Sequence, residues 1–188
     1  MDIDKGNQEE LDINVDSLWL IGPRAKGGKR ENNYHGNFVP QIPDQMIRRY
    51  TKKNGIVLDM FMGSGTTLFE AETLGRSYIG FDINDSIIAY VQKKMEGSKI
   101  KYLIHNCDIT NQENISYMLS DDLIKLQDTG VDLIMSHPPY LDIVRFTNKK
   151  EDLSNITDLN KFIASYIKRV KNVWPFLKRN QYIVLLIS

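Results

Sequence analysis

Short apolar runs alternate along this chain with stretches of helical periodicity, and that alternation limits the folds open to it. The runs cover residues 56–58, 77–82, 100–104, 131–135 and 181–188. Between them lie a helical segment from Leu68 to Leu74, a face of Ile87, Ile88, Val91 and Met95, the segment Ile115 to Gln127, and a stripe of Leu159, Phe162, Ile163, Tyr166, Ile167 and Val170. Apolar strands separated by helices are the pattern of a parallel sheet buried on both faces. The expected class is therefore α/β, a mostly parallel sheet with helices on both faces. Punctuation agrees with it. Thr66 and Thr67 can cap the first of these helices and Gly75 can close it. Asn84 or Asp85 can cap the second, which Gly97 closes. Pro40 and Pro43 precede a short helix from Asp44 to Tyr50, and Pro175 kinks or restarts the chain after Trp174.

The strand ends carry the chemistry. Three successive strands stop near an acid, at Asp59, Asp82 and Asp108. In an open parallel sheet those ends line one crevice, where ligands bind. Taken singly, each acid could equally be a helix cap or a solvated turn; the joint pattern is hard to obtain by chance. Between the first two acids, Gly63 and Gly65 permit a tight turn and close backbone approach. The third glycine of a dinucleotide fingerprint is absent, since Leu68 stands there, and no phosphate-cradling G-x-x-x-x-G-K-[ST] occurs. Asp59 would repel a pyrophosphate but can accept hydrogen bonds from a cationic ligand. Asp82 follows Asp59 at close to the roughly 20-residue spacing of a ribose-binding acid after a nucleotide-binding turn. The fourth strand runs into Ser136, His137, Pro138, Pro139 and Tyr140. Neither proline donates a backbone N–H, so the sheet stops and a stiff, carbonyl-rich turn fixes an aromatic ring at its end. Such a turn suits gripping a planar substrate that bears an amino group.

These motifs together resemble the catalytic domain of the S-adenosylmethionine-dependent amino-methyltransferases of DNA, which methylate adenine N6 or cytosine N4. Asp59 through Thr67 is similar to the D-P-F-x-G-S-G-T-T cofactor motif, with Met60 in place of proline. The segment from Tyr34 to Pro43 resembles the one that packs on the methionine end of the cofactor, and the motif order matches the γ arrangement. The resemblance spans roughly residues 17–188, with residues 1–16 an acidic, polar arm. It implies a Rossmann-like methyltransferase fold that binds S-adenosylmethionine. The cofactor-binding set it implies is His35, Asn37, Phe38, Asp59, Phe61, Gly63, Ser64, Gly65, Thr66, Thr67, Asp82 with Ile83, and Asp108 with Ile109. Within it, Asp82 falls where the family's ribose acid lies and Asp108 where its adenine-contacting acid lies. Ser136, His137, Pro138, Pro139 and Tyr140 form the implied catalytic turn. The substrate would be a base flipped out of DNA, with Tyr140 stacked on it.

One position departs from the family tetrapeptide, which opens with Asp, Asn or Ser where this chain has His137. In the family that side chain and the next proline carbonyl accept hydrogen bonds from the target amine. The amine is a poor nucleophile because its lone pair is delocalised into the ring, and two acceptors favour a pyramidal nitrogen. Neutral imidazole offers one acceptor and imidazolium none. His137 could serve while neutral, Ser136 could take over the contact, or the site could have another substrate or none. The alternatives in function are a methyltransferase of RNA bases or protein glutamine, and a non-catalytic cofactor-binding subunit. The Gly-Ser-Gly-Thr-Thr turn favours DNA over the first two.

Composition narrows the partners. Twenty-four basic and 24 acidic residues leave no net charge, whereas DNA affinity is dominated by phosphate contacts from Lys and Arg. The nearest basic cluster, Arg24 to Arg30, reads as a solvated loop or as a phosphate contact. Cys107 is the one cysteine; it suits a reducing cytoplasm and reads as packing at a strand end. No metal site is expected, since His35 and His105 stand isolated. No membrane span is expected either. Residues 141–157 read as an ordering lid or as a plain surface connection. Family members carry two further strands and a recognition region after the last apolar run, which leaves this domain incomplete at its C-terminal side. Its edge is expected to need a partner subunit, a second half or self-association.

Overall fold

The computed structural model describes residues 13–30, 36–140 and 143–187. Its five strands are β1 (Ile56–Asp59), β2 (Ser77–Asp82), β3 (Tyr102–Asn106), β4 (Val131–Ser136) and β5 (Leu177–Leu185). They form one sheet in the order β3-β2-β1-β4-β5, and every pairing is parallel. The helices are α1 (Gln41–Tyr50), α2 (Thr66–Thr73), α3 (Asp85–Lys94), α4 (Gln112–Leu126) and α5 (Leu159–Val173). Strand order reverses at β1, so the crevice at the strand ends opens between β1 and β4, beside β2.

Alternate side chains of each strand point to opposite faces and build two cores. Val57, Tyr78, Leu133 and Met135 pack with Met46 and Ile47 of α1, Leu68 and Phe69 of α2, and Ile88 and Val91 of α3. Ile56, Leu58, Ile79, Phe81 and Ile134 pack on the other face, against Ile115, Leu119 and Leu123 of α4 and Val173 of α5. Asn84 caps α3 as its sequence suggests, but Thr66 and Thr67 do not cap α2: Gly65 holds that N-cap position without a side-chain bond, and both threonines lie in the first turn. The Asn84 side chain accepts the N–H groups of Ser86 and Ile87, Asn111 accepts that of Asn114, and Asp158 that of Lys161.

Element boundaries depart most from the sequence reading at four element starts. Helix α1 begins at Gln41 and takes Pro43 into its first turn, where N–H groups have no helical partner to lose. Helix α4 begins at Gln112 rather than Ile115, because Asn111 caps it. Strand β3 runs over 102–106 rather than 100–104, since its register follows β2 from Tyr78 opposite Tyr102 to Asp82 opposite Asn106. Strand β5 starts at Leu177, but pairing jumps from Val131–Leu177 to Leu133–Tyr182. The bulge contains Asn180 in the left-handed region, at φ +63°, and places Lys178 between Asp128 at 2.8 Å and Asp132 at 3.0 Å.

Candidate functional site

The turn after β1 is held from both sides. Met60 N–H donates to the Met135 carbonyl at 3.0 Å and Met62 N–H to that of Phe81 at 2.9 Å. Gly63, at φ +51°, donates its N–H to Asp82 Oδ2 at 2.8 Å. Gly65, at φ +87°, precedes α2, and a Cβ there would sit 3.0 Å from the Phe69 ring. Ser64 Oγ and Thr66 Oγ1 are buried without a hydrogen-bond partner, while the Thr67 hydroxyl faces Asp59 and helps hold its charge. Burying a hydroxyl that way is costly unless something else fills its valence. Beneath the turn lies Asp59, 3% exposed. Its oxygens accept the Phe61 N–H at 3.1 Å and the Tyr78 hydroxyl at 3.2 Å. Burial pushes its pKa up from 3.8 to about 6, against the pull of those hydrogen bonds.

The other two acids differ from each other. Asp82 also accepts the Asn84 N–H at 2.8 Å, and burial raises its pKa. Asp108 is paired with the buried Arg169 of α5 at 3.0 Å and accepts the Thr110 N–H at 3.2 Å. Burial lowers the Arg169 pKa, partly offset by Asp108.

Beyond β4, Ser136 turns away from the crevice. It is fully buried, and its hydroxyl and that of Tyr166 are 2.9 Å apart. The His137 imidazole sits edge-on between the rings of Phe38, at 4.9 Å, and Tyr140, at 5.5 Å. Burial holds its pKa below 6.5, so the neutral ring is favoured. The Tyr140 hydroxyl reaches the Leu186 carbonyl at 3.4 Å, a weak tie to the end of β5. Phe38 is placed by Arg24, whose guanidinium donates to the Phe38 carbonyl at 2.8 Å.

One cavity of about 280 Å³ joins these parts. Of the predicted cofactor set, Asn37, Phe38, Phe61, Gly63, Ser64, Thr66, Asp82, Ile83, Asp108 and Ile109 line it. His137, Pro138, Pro139 and Tyr140 line it from the β4 side. Asp59, Gly65, Thr67 and Ser136 stand behind the wall, where they shape the turns. His35 lies outside the described residues. Sequence reading missed Arg169, which sat unnoticed in an amphipathic helix, and Cys107, which lines the cavity rather than only packing a strand end. It also left open the role of the segment after Tyr140. Val144, Phe146, Thr147, Asp152 and Leu153 of that segment form a wall of the cavity, and the polar composition of 141–157 gave little sign of it.

The basic cluster does not face this cavity. Lys29 pairs with Glu72 and Arg30 with Glu70, each at 2.6 Å, which staples the segment to α2. Those two cations are engaged by carboxylates of α2. His105 is likewise not isolated, because its Nε2 lies 2.6 Å from Asp122 Oδ2. Among the described residues no group of side chains could hold a metal ion, and no helix is long and apolar enough to cross a membrane.

Comparison with known proteins follows the same lines. The DNA methylase family matches residues 2–93. The chain is 30% identical over 121 residues to the Type II methyltransferase M.MjaII of Methanocaldococcus jannaschii, covering 63% of this chain and 23% of that one. It is 25% identical over 191 residues to M.HinfI of Haemophilus influenzae, covering 95% of this chain and 52% of that one. The chain thus spans about half or less of the length of these relatives. Among solved structures, SMU.1697c of Streptococcus mutans in complex with SAH superposes with a TM-score of 0.53 at 13% identity, covering 79% of this chain and 71% of that one. At that identity the likeness concerns the fold alone, and the fold is Rossmann-like.

Proposed function

We propose that this chain, whose residues 2–93 match the DNA methylase family, carries the cofactor and catalytic site of an S-adenosylmethionine-dependent DNA amino-methyltransferase. The substrate is the exocyclic amine of adenine or cytosine, and the setting is the modification arm of a restriction–modification system in a reducing cytoplasm. The observation that carries the reading is the single cavity. It puts the glycine turn, Asp82 and Asp108 on one side and His137 to Tyr140 on the other. Its donor set fits the cofactor. Ser64 and Thr66 offer buried hydroxyls without partners, and Asp82 has lone pairs left after its two backbone contacts. When bound, S-adenosylmethionine supplies an electrophilic methyl group.

The chain's own residues do the rest. Asp82 would accept from ribose hydroxyls, and Asp108, held by Arg169, would meet the adenine. His137, kept neutral by burial, would accept one hydrogen of the target amine, and the Pro138 carbonyl the other. Two acceptors bias that nitrogen toward a pyramidal, nucleophilic form. Tyr140 would stack on the flipped base, which must leave the helix because its amine is buried in pairing. Ser136 is a support for the turn through Tyr166, so it is not the substitute acceptor. In this reading the open β5 edge is covered by further chain or by a partner subunit.

The test is transfer of tritiated methyl to mixed-sequence DNA, followed by nucleoside analysis, with any adjacent partner chain supplied. N6-methyladenine or N4-methylcytosine is expected. A protein that binds S-adenosylhomocysteine yet labels no DNA under any condition would make this a non-catalytic subunit.

A further inference from the structure

Residues 146–155 fold into a compact strap across the cavity. Asp152 Oδ2 accepts both the Thr147 N–H and its hydroxyl at 2.8 Å, and Asp152 Oδ1 accepts the Ser154 N–H at 2.9 Å. Asn155 Nδ2 donates to the carbonyls of Thr147 and Lys149 at 2.9 Å, and Ser154 Oγ accepts the Phe146 N–H at 3.1 Å. A segment so closed on itself moves as a unit. Two tethers on opposite sides then hold it to the sheet. On one side Arg169, 4% exposed, donates to the Glu151 carbonyl at 2.5 Å while paired with Asp108. On the other side Lys149 reaches over the end of β2. Its ammonium donates to the Ile83 carbonyl at 2.5 Å and pairs with Asp85 at 2.7 Å.

The two tethers are unequal. The Arg169 contacts are desolvated and hydrogen-bonded, so breaking them strands a buried charge. The Lys149 pair is open to water, with side chains 41% and 71% exposed, and exposed pairs are weak and screened by salt. The strap should therefore open at Lys149 and pivot on Arg169. Asp82 and Ile83 sit directly under the Lys149 end, and Thr147 and Asp152 of the strap line the cavity with them.

We propose that Lys149 is a latch, a positioning residue that holds the strap shut over the Asp82 end of the cavity and so sets how fast the ligand leaves. The inference rests on the cofactor reading above for what the ligand is, but the latch itself can be tested without it. Cys107, the one cysteine, is half-buried in the cavity wall, so a thiol reagent reports the opening. Lys149→Met should speed modification of Cys107 in the ligand-free protein about two- to fivefold, the range an exposed pair supports. Raising salt should speed the wild type toward the variant and leave the variant unchanged. Asp85→Asn should give a smaller rise, and Lys149→Arg should retain most of the protection. In stopped-flow measurements, S-adenosylhomocysteine should both enter and leave Lys149→Met faster by a similar factor, because the same opening admits and releases it. Equal, salt-independent labelling of wild type and Lys149→Met would overturn the latch, whatever the cavity binds. A labelling difference in a protein that binds no S-adenosylhomocysteine would leave the latch standing and remove the cofactor reading instead.

Discussion

Asp59 is a carboxylate that the fold holds at a cost. It is 3% exposed, no cation touches it, and it ionises near pH 6 instead of 3.8. A pKa raised in the folded state favours folding only while the group is protonated. That contribution is complete below about 3.8 and is lost as pH rises through about 6. At 1.36 kcal/mol for each tenfold change in proton affinity, the ionised form opposes folding by about 3 kcal/mol at pH 8 and about 1 kcal/mol at pH 4.5. Asp59→Asn removes the titration while keeping the contacts. The amide oxygen can accept the Phe61 N–H, and the amide nitrogen can donate to the Tyr78 hydroxyl, which rotates to accept. Urea unfolding of both proteins at the two pH values gives the stabilities. The variant's advantage over wild type should widen by about 2 kcal/mol from pH 4.5 to pH 8. A difference that stays constant, or narrows as pH rises, would refute an uncompensated buried carboxylate at this position.

Other outcomes follow from the same geometry. Because burial favours the neutral His137 ring, methyl transfer should persist to pH values below 6.5 before its acid limb falls, and His137→Asn should abolish that limb in a pH–rate profile. His137→Ala should lose about 1–3 kcal/mol of transition-state stabilisation in kcat/KM; full activity would take the imidazole out of the mechanism. Gly80→Ala puts a Cβ 2.5 Å from the Tyr78 ring, which crosses Gly80 on its way to Asp59. It should cost about 1–3 kcal/mol by thermal unfolding. Arg30→Met leaves the fully buried Glu70 carboxylate unpaired and should cost about 3–5 kcal/mol, with Glu70→Gln in the same chain recovering part of the loss.

The parallel sheet was legible because its strands are apolar on both faces and its helices carry their own caps, as at Asn84. Boundaries were less legible where pairing decides them. Ile100 and Lys101 are as strand-like as Ile104, but β2 sets the register of β3 and carries it on to Asn106. Three acids at three strand ends pointed to the crevice, and Asp82 and Asp108 line it. Asp59 looked the same in sequence yet points into the protein, because Tyr78 reaches across from the neighbouring strand to bind it. Sequence cannot separate these cases, since the difference lies in a side chain 19 residues away. Arg169 was invisible for a related reason. A lone arginine on an amphipathic helix usually faces water, and only the docking of α5 beside β3's end gives it Asp108 as a partner. In sequence the strap reads as a lid or as a plain connection, because what makes it a wall is Asp152, Ser154 and Asn155 bonding back to residues 146–149.

The central claim is that one cavity takes S-adenosylmethionine with Asp82 at its ribose. Calorimetric titration of the folded protein with S-adenosylhomocysteine tests it without needing DNA, a recognition region or a partner. The account predicts one site with micromolar affinity, about 8 kcal/mol. It also predicts a loss of about 1.5–3 kcal/mol in Asp82→Ala, from hydrogen bonds to an ionised acceptor. No heat from wild-type protein shown to be folded, or unchanged affinity in Asp82→Ala, would contradict it.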